Sequence, residues 1–123
     1  MKDLMEHFID DQGILTIRFK KQVNIEIDDA IELTKVWIDT CEETPRCFLI
    51  DGRQVRANVS LGAFRHFARD EEFQSLIASY AIIVDSLPIR LLANLYISVF
   101  EKKTPAKIFD NEPDALVWLQ QFL

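Results

Sequence analysis

Apolar and polar residues alternate over residues 14–19, with Leu15, Ile17 and Phe19 on one face and Ile14, Thr16 and Arg18 on the other. A period of two is the geometry of an extended chain and predicts a half-buried strand here. Residues 4–9 form a looser strand candidate, because the adjacent pairs Leu4-Met5 and Phe8-Ile9 break the alternation. Asp10-Asp11-Gln12-Gly13 separates the two runs, and a short polar segment ending in Gly predicts a tight antiparallel hairpin. Val23, Ile25 and Ile27 keep the alternation, so the lead into the first helix is extended.

From residue 28 the period lengthens. Ala30, Leu33, Trp37 and Cys41 recur at spacings of three and four, which predicts a helix over 28–42. Asp29, followed three residues later by Glu32, has the spacing of a capping box. Pro45 closes the segment, since it offers no amide and disfavours helix in the residue before it. Cys47-Phe48-Leu49-Ile50 is a continuous apolar run ending at Asp51-Gly52, as in a strand covered on both faces. Leu61, Phe64, Phe67 and Ala68 then mark a second helix with Ser60 at its N-cap, and residues 70–74 a turn or kinked continuation. Tyr80-Ala81-Ile82-Ile83-Val84 is β-branched, strand-like and ends at Asp85. Residues 86–101 make a third helix, capped by Ser86 with Pro88 in the first turn. Residues 105–109 form a last strand, and Asp110-Asn111 opens a final helix carrying Leu116, Trp118, Leu119 and Phe122. The predicted order is β-β-α-β-α-β-α-β-α. Strands joined through helices require a mostly parallel sheet, so the class is α/β with an N-terminal antiparallel hairpin at one edge.

That order resembles the SpoIIAA-like superfamily, which includes STAS domains, across nearly the whole chain. The local likeness is strongest in the last third, where Ala81-Ile82-Ile83-Val84-Asp85, residues 90–100, Ala106-Lys107-Ile108-Phe109-Asp110 and Ala115-Leu116-Val117-Trp118-Leu119 are similar to uncharacterised bacterial STAS-like proteins. The resemblance implies a single SpoIIAA-like domain over residues 1–123. It also implies a phosphorylatable Ser or Thr, usually preceded by Asp in an Asp-Ser-x-Gly-like arrangement, where the helix after the central strand begins. Here Val59-Ser60-Leu61-Gly62 stands at that place. Ser60 and Gly62 keep the spacing, Val59 replaces the Asp, and the loop over 52–59 is longer than the pattern expects. Ser60 is therefore a candidate phospho-switch as well as an ordinary helix cap.

Charge narrows the partners. Fourteen Lys and Arg against twenty Asp and Glu give a net charge of −6, which opposes nonspecific binding to nucleic acid. Two cysteines are too few for a disulfide scaffold, so a reducing, cytoplasmic setting is expected. Residues 1–9 carry Asp3, Glu6 and His7 and do not read as a signal peptide. No uncharged apolar run approaches the ~18–20 residues of a membrane span, so no integral membrane segment is expected. His7, His66, Cys41 and Cys47 fall into no metal-ligand spacing, and neither a metal nor another cofactor is expected. His66 stands six residues from Ser60, which separates the two on a helix and opposes a nucleophile–base pair with Ser60 or Cys47.

Two features remain as candidate sites. Asp51 and Asp85 both end strands, at the edge where open α/β sheets bind ligands, and Arg53, Arg56, Ser60, Ser86 and Arg90 are placed to join them. The same acids can instead cap loops and pair with the arginines, or, in a third reading, serve an enzyme. The other feature is the helix over 87–100. Its polar members Arg90, Asn94 and Ser98 form one narrow stripe and the rest is apolar, whereas covering a sheet takes an arc of only ~100°. One face should cover the sheet and another should need a partner. That partner is a second copy using Leu91, Leu95, Tyr96, Val99 and Phe100, the chain's own final helix or its Phe64/Phe67/Phe73 cluster, or an apolar ligand, since CRAL-TRIO-type lipid carriers resemble this superfold. The leading expectation is a non-enzymatic, homodimeric interaction or regulatory module with protein partners. The alternative is a small apolar-ligand or lipid-binding protein of the same fold.

Overall fold

Asp10 organises the first turn of the chain. Its Oδ1 accepts the N–H groups of Gln12 and Ile14, each at 2.9 Å, while Gly13 takes a φ of +83° that a side chain would resist. The reversal lets β1 (Met5–Ile9) pair antiparallel with β2 (Leu15–Phe19), the expected hairpin. The structure is a computed structural model and describes residues 3–100 and 103–123.

Helix α1 (Ile27–Cys41) leads to β4 (Arg46–Asp51). Helices α2 (Leu61–Arg69) and α3 (Glu71–Ser75) lead to β6 (Ile77–Ile83). Helix α4 (Leu87–Leu95), prolonged by a π-helical turn (Tyr96–Phe100), leads to β7 (Ala106–Phe109), and α5 (Glu112–Leu119) follows. The expected end of the third helix, at residue 101, lies outside the described residues. The main sheet has the order β1-β2-β4-β6-β7, with every pair parallel except the hairpin. The α/β class and the antiparallel edge are as the sequence predicts.

Three details differ from expectation. Residues 52–59 are more than a loop: β5 (Arg56–Val59) pairs in parallel with β3 (Gln22–Ile25) to make a second, two-stranded sheet. The α1 capping box sits one turn early, with Glu26 as N-cap and its N–H donating to Asp29 Oδ2 at 3.0 Å, so Asp29 is the third helical residue of the box. Strand β2 is covered on both faces, with Leu15, Thr16 and Ile17 each at most 2% exposed, because it lies inside the sheet between β1 and β4.

The pleat divides the core. Leu15, Ile17, Phe48, Tyr80 and Ile82 face α1, α3, α4 and the small sheet. Cys47, Leu49, Ala81 and Ile83 face the other way, onto Ala115 and Leu119 of α5. Among the described residues α5 and the turn that follows it cover the back of the sheet, and α1 to α4 stand in front.

Candidate functional site

The expected ligand edge is occupied by its own charges. Asp51 ends β4, and Arg53 folds back onto it in a bidentate pair, Nε to Oδ1 at 3.0 Å and Nη2 to Oδ2 at 2.9 Å. The Arg53 N–H donates to the same Oδ1 at 3.0 Å. Arg18 Nη1 stands 3.7 Å from Asp51 Oδ2, and Arg18 and Arg53 both reach Glu112 Oε1, at 3.3 and 3.4 Å. Two cations and two carboxylates close on one another. Burial by itself raises the Asp51 carboxyl, but the hydrogen bonds from the Arg53 side chain and backbone, with the Arg53 and Arg18 charges, reverse this and hold it below the ordinary value. The Asp51 hydrogen bond correspondingly raises Arg53.

Asp85 has a different task. Both its oxygens accept the Gln54 N–H, at 3.0 and 3.1 Å, and so hold Gln54 at a φ of +59°, in the left-handed region. Gly52 is needed beside it, because a Cβ there would lie 3.1 Å from both the Ile83 carbonyl oxygen and Ile89 Cγ2. Ser86 Oγ accepts the Ile89 N–H at the start of α4, as expected. Arg56 and Arg90 are exposed and, among the described residues, pair with neither carboxylate. The predicted edge therefore does not assemble as one polar pocket. Arg18 and Glu112, which do join Asp51, carry no local signal, being 94 residues apart.

Ser60 caps α2: its Oγ accepts the Ala63 N–H at 3.1 Å, and its own N–H donates to the Ile25 carbonyl at 3.0 Å. His66 Nε2 lies 2.9 Å from Thr34 Oγ1 and 3.6 Å from Asp70 Oδ2. Cys47 is buried on the opposite face of the sheet from α2, so the two make no catalytic pair. Cys41 packs in the front core, and burial pushes its thiol up against the opposing pull of Arg46. Among the described residues no cluster of His, Cys, Asp and Glu is placed to hold a metal, and no helix is long and apolar enough to cross a membrane.

The greasy helix divides as the sequence requires. Ile89 and Ala93 are buried against the sheet, with Leu92 half-buried beside them. Tyr96 and Phe100 turn inward, their rings 5.3 and 5.5 Å from Phe64, so they belong to the subunit's own packing more than to a free face. Ile97 is half-buried against the core, and four apolar residues form an outer ridge one turn apart, Leu87 66%, Leu91 58%, Leu95 39% and Val99 57% exposed.

Beneath α4 lies a cavity of about 170 Å³, walled by the front of the sheet, the small β3/β5 sheet and helices α1, α2 and α4. None of its lining residues is exposed, and the only polar side chains among them are Trp37, Tyr80 and Tyr96. Trp37 is 5% exposed, and its Nε1 has no hydrogen-bond partner among the described residues, a debt of about 1–3 kcal/mol for a buried donor. The cavity has no sequence signature, because its small lining residues Ala57 and Ala93 come from separate elements, β5 and α4.

Over residues 8–123 the chain matches the family described as domain of unknown function DUF7793. The chain belongs to that family. Its fold is similar to that of an uncharacterised DUF3478-family protein with a SpoIIAA-like fold from Shewanella loihica PV-4, at 18% identity and a TM-score of 0.61 over 94% of this chain and 91% of that one. At that identity the likeness speaks for the fold, and it bears out the SpoIIAA-like resemblance of the sequence. No curated protein matches the chain. In this DUF7793 domain Asp51 is engaged by Arg53 and Arg18 and Asp85 by the Gln54 N–H, while the outer row of α4 is exposed and a cavity lies beneath that helix.

Proposed function

We propose that the DUF7793 domain is a non-enzymatic interaction module that self-associates through the outer ridge of α4. The observation that carries this reading is the run of Leu87, Leu91, Leu95 and Val99, apolar and exposed on successive turns of one helix. Such a ridge is self-complementary about a twofold axis, since two copies crossing interdigitate the same residues. The closed Asp51–Arg53–Arg18–Glu112 cluster supports a role other than acid–base chemistry, because each carboxylate already has a cationic partner. Partner proteins with a similar apolar helix would compete for the same ridge.

Sedimentation equilibrium on the full chain at high micromolar concentration tests this. The wild type should run at twice its 14.3 kDa, and Leu91→Lys at 14.3 kDa with an unchanged circular dichroism spectrum. A wild-type monomer at that concentration would remove the proposal.

A further inference from the structure

We infer that the cavity beneath α4 is a binding site for a compact, uncharged, ring-sized apolar molecule bearing one hydrogen-bond acceptor, held by the Trp37 indole N–H. Volume sets the size. An engineered cavity of about 150 Å³ lined by aliphatic and aromatic side chains stays dry and takes up benzene, and this one measures about 170 Å³ with the same kind of wall. A long acyl chain exceeds it, and a charged headgroup would find no ionic partner, since among the described residues no Lys, Arg, Asp, Glu or His lines it. Polarity sets the acceptor. Trp37 is 5% exposed, lines the cavity and leaves its Nε1 donor without a partner among the described residues, although its ring is well seated 5.8 Å from Phe67 and 5.7 Å from Phe73. Indole N–H donates only, so a carbonyl or ether oxygen on an otherwise apolar ring is what completes it. The ligand class is therefore narrower than lipid: a cyclic or aromatic ketone, ester or ether of about that size. The site is internal to one subunit and does not depend on whether the α4 ridge is covered.

The test uses acetophenone and cumene, near-isosteres that differ in one acceptor oxygen, titrated into the full chain and followed by amide chemical shifts. Both should bind saturably at one site, with nuclear Overhauser contacts to Trp37 and Ile82. Trp37→Phe should lower the affinity for acetophenone relative to cumene by about three- to tenfold, the worth of one hydrogen bond. Ala93→Leu, which fills the cavity from α4, should weaken both at least tenfold. Ala57→Leu fills it from the small sheet if the first variant does not fold. Absence of saturable binding to the wild type, contacts that fall on Leu91 and Val99 instead, or binding that survives filling would overturn the site. An acetophenone-to-cumene ratio untouched by Trp37→Phe would overturn the role of Trp37. Running the same titration on Leu91→Lys separates this outcome from that of the self-association experiment.

Discussion

The charge of Asp51 depends on the folded state. Its carboxyl is held below the ordinary value of 3.8 by Arg53 and Arg18, so it contributes stability above that pH and loses it as the pH falls through the folded value. Asp51→Asn should therefore cost about 1–2 kcal/mol at pH 7, scaled down from the worth of charged hydrogen bonds because Arg53 is 37% exposed. In urea unfolding the gap to wild type should narrow below about pH 4, where the carboxyl of the unfolded chain takes up its proton while the folded one still holds its charge, and it closes only as the pH falls through the folded value; an equal gap at pH 7 and pH 3 would contradict the assignment. Ser60 invites a second comparison. As a cap it should lose about 1 kcal/mol on Ser60→Ala and almost nothing on Ser60→Asp, since Asp caps as well as Ser and its charge suits a helix N-terminus. If Ser60→Asp leaves stability intact and changes the oligomeric mass, the phospho-switch expected from the family resemblance gains support. The strand-end position of Asp51 was legible in the sequence, because an acid closing an apolar run marks the edge of a sheet. Its partners were not, since Arg18 and Glu112 are brought there by β2 and α5, two elements whose adjacency only the sheet order decides.

At the scale of elements, legibility followed period and length. Helix α4 could be recognised as too apolar for one interface, and it does split into a buried row, Ile89 and Ala93, and an exposed row one turn apart. What the pattern could not assign was which of its large residues belong to which row. The helix widens into a π turn at Tyr96, which shifts Tyr96 and Phe100 inward onto Phe64 and leaves Val99 outside. A clear ranking follows. Leu91→Lys and Val99→Lys should leave thermal stability within about 0.5 kcal/mol of wild type while changing association, whereas Tyr96→Ala should lower stability by roughly 2–4 kcal/mol through lost ring packing. Thermal melts at low protein concentration check this, because they read the subunit alone. Strand β5 escaped notice for a related reason. Four residues with only Ala57 and Val59 on the apolar side carry little signal, and their pairing with β3 spans 34 positions of sequence.

Taken as a whole molecule, the domain has an asymmetry that its strand and helix order does not disclose. Among the described residues the back of the sheet is closed by α5 and the turn after it, with Ala115 and Leu119 fully buried, while the front is roofed by several elements that do not quite meet. The gap between them is what stability has to carry, and it should register in volume as well as in free energy. Unfolding eliminates internal voids and the volume change scales with them, so a cavity of about 170 Å³ should make that change more negative. High-pressure unfolding of the full chain should accordingly proceed with a steep pressure dependence, read through Trp fluorescence. Ala93→Leu should reduce that dependence by roughly a third to a half, because the added atoms occupy space that water would otherwise gain on unfolding. Acetophenone at saturation should act in the same direction on the wild type and have no effect on Ala93→Leu. A volume change that is small in the wild type, or indifferent to both the substitution and the ligand, would mean that the roof closes over the sheet in solution and that the front layer hides no space to fill.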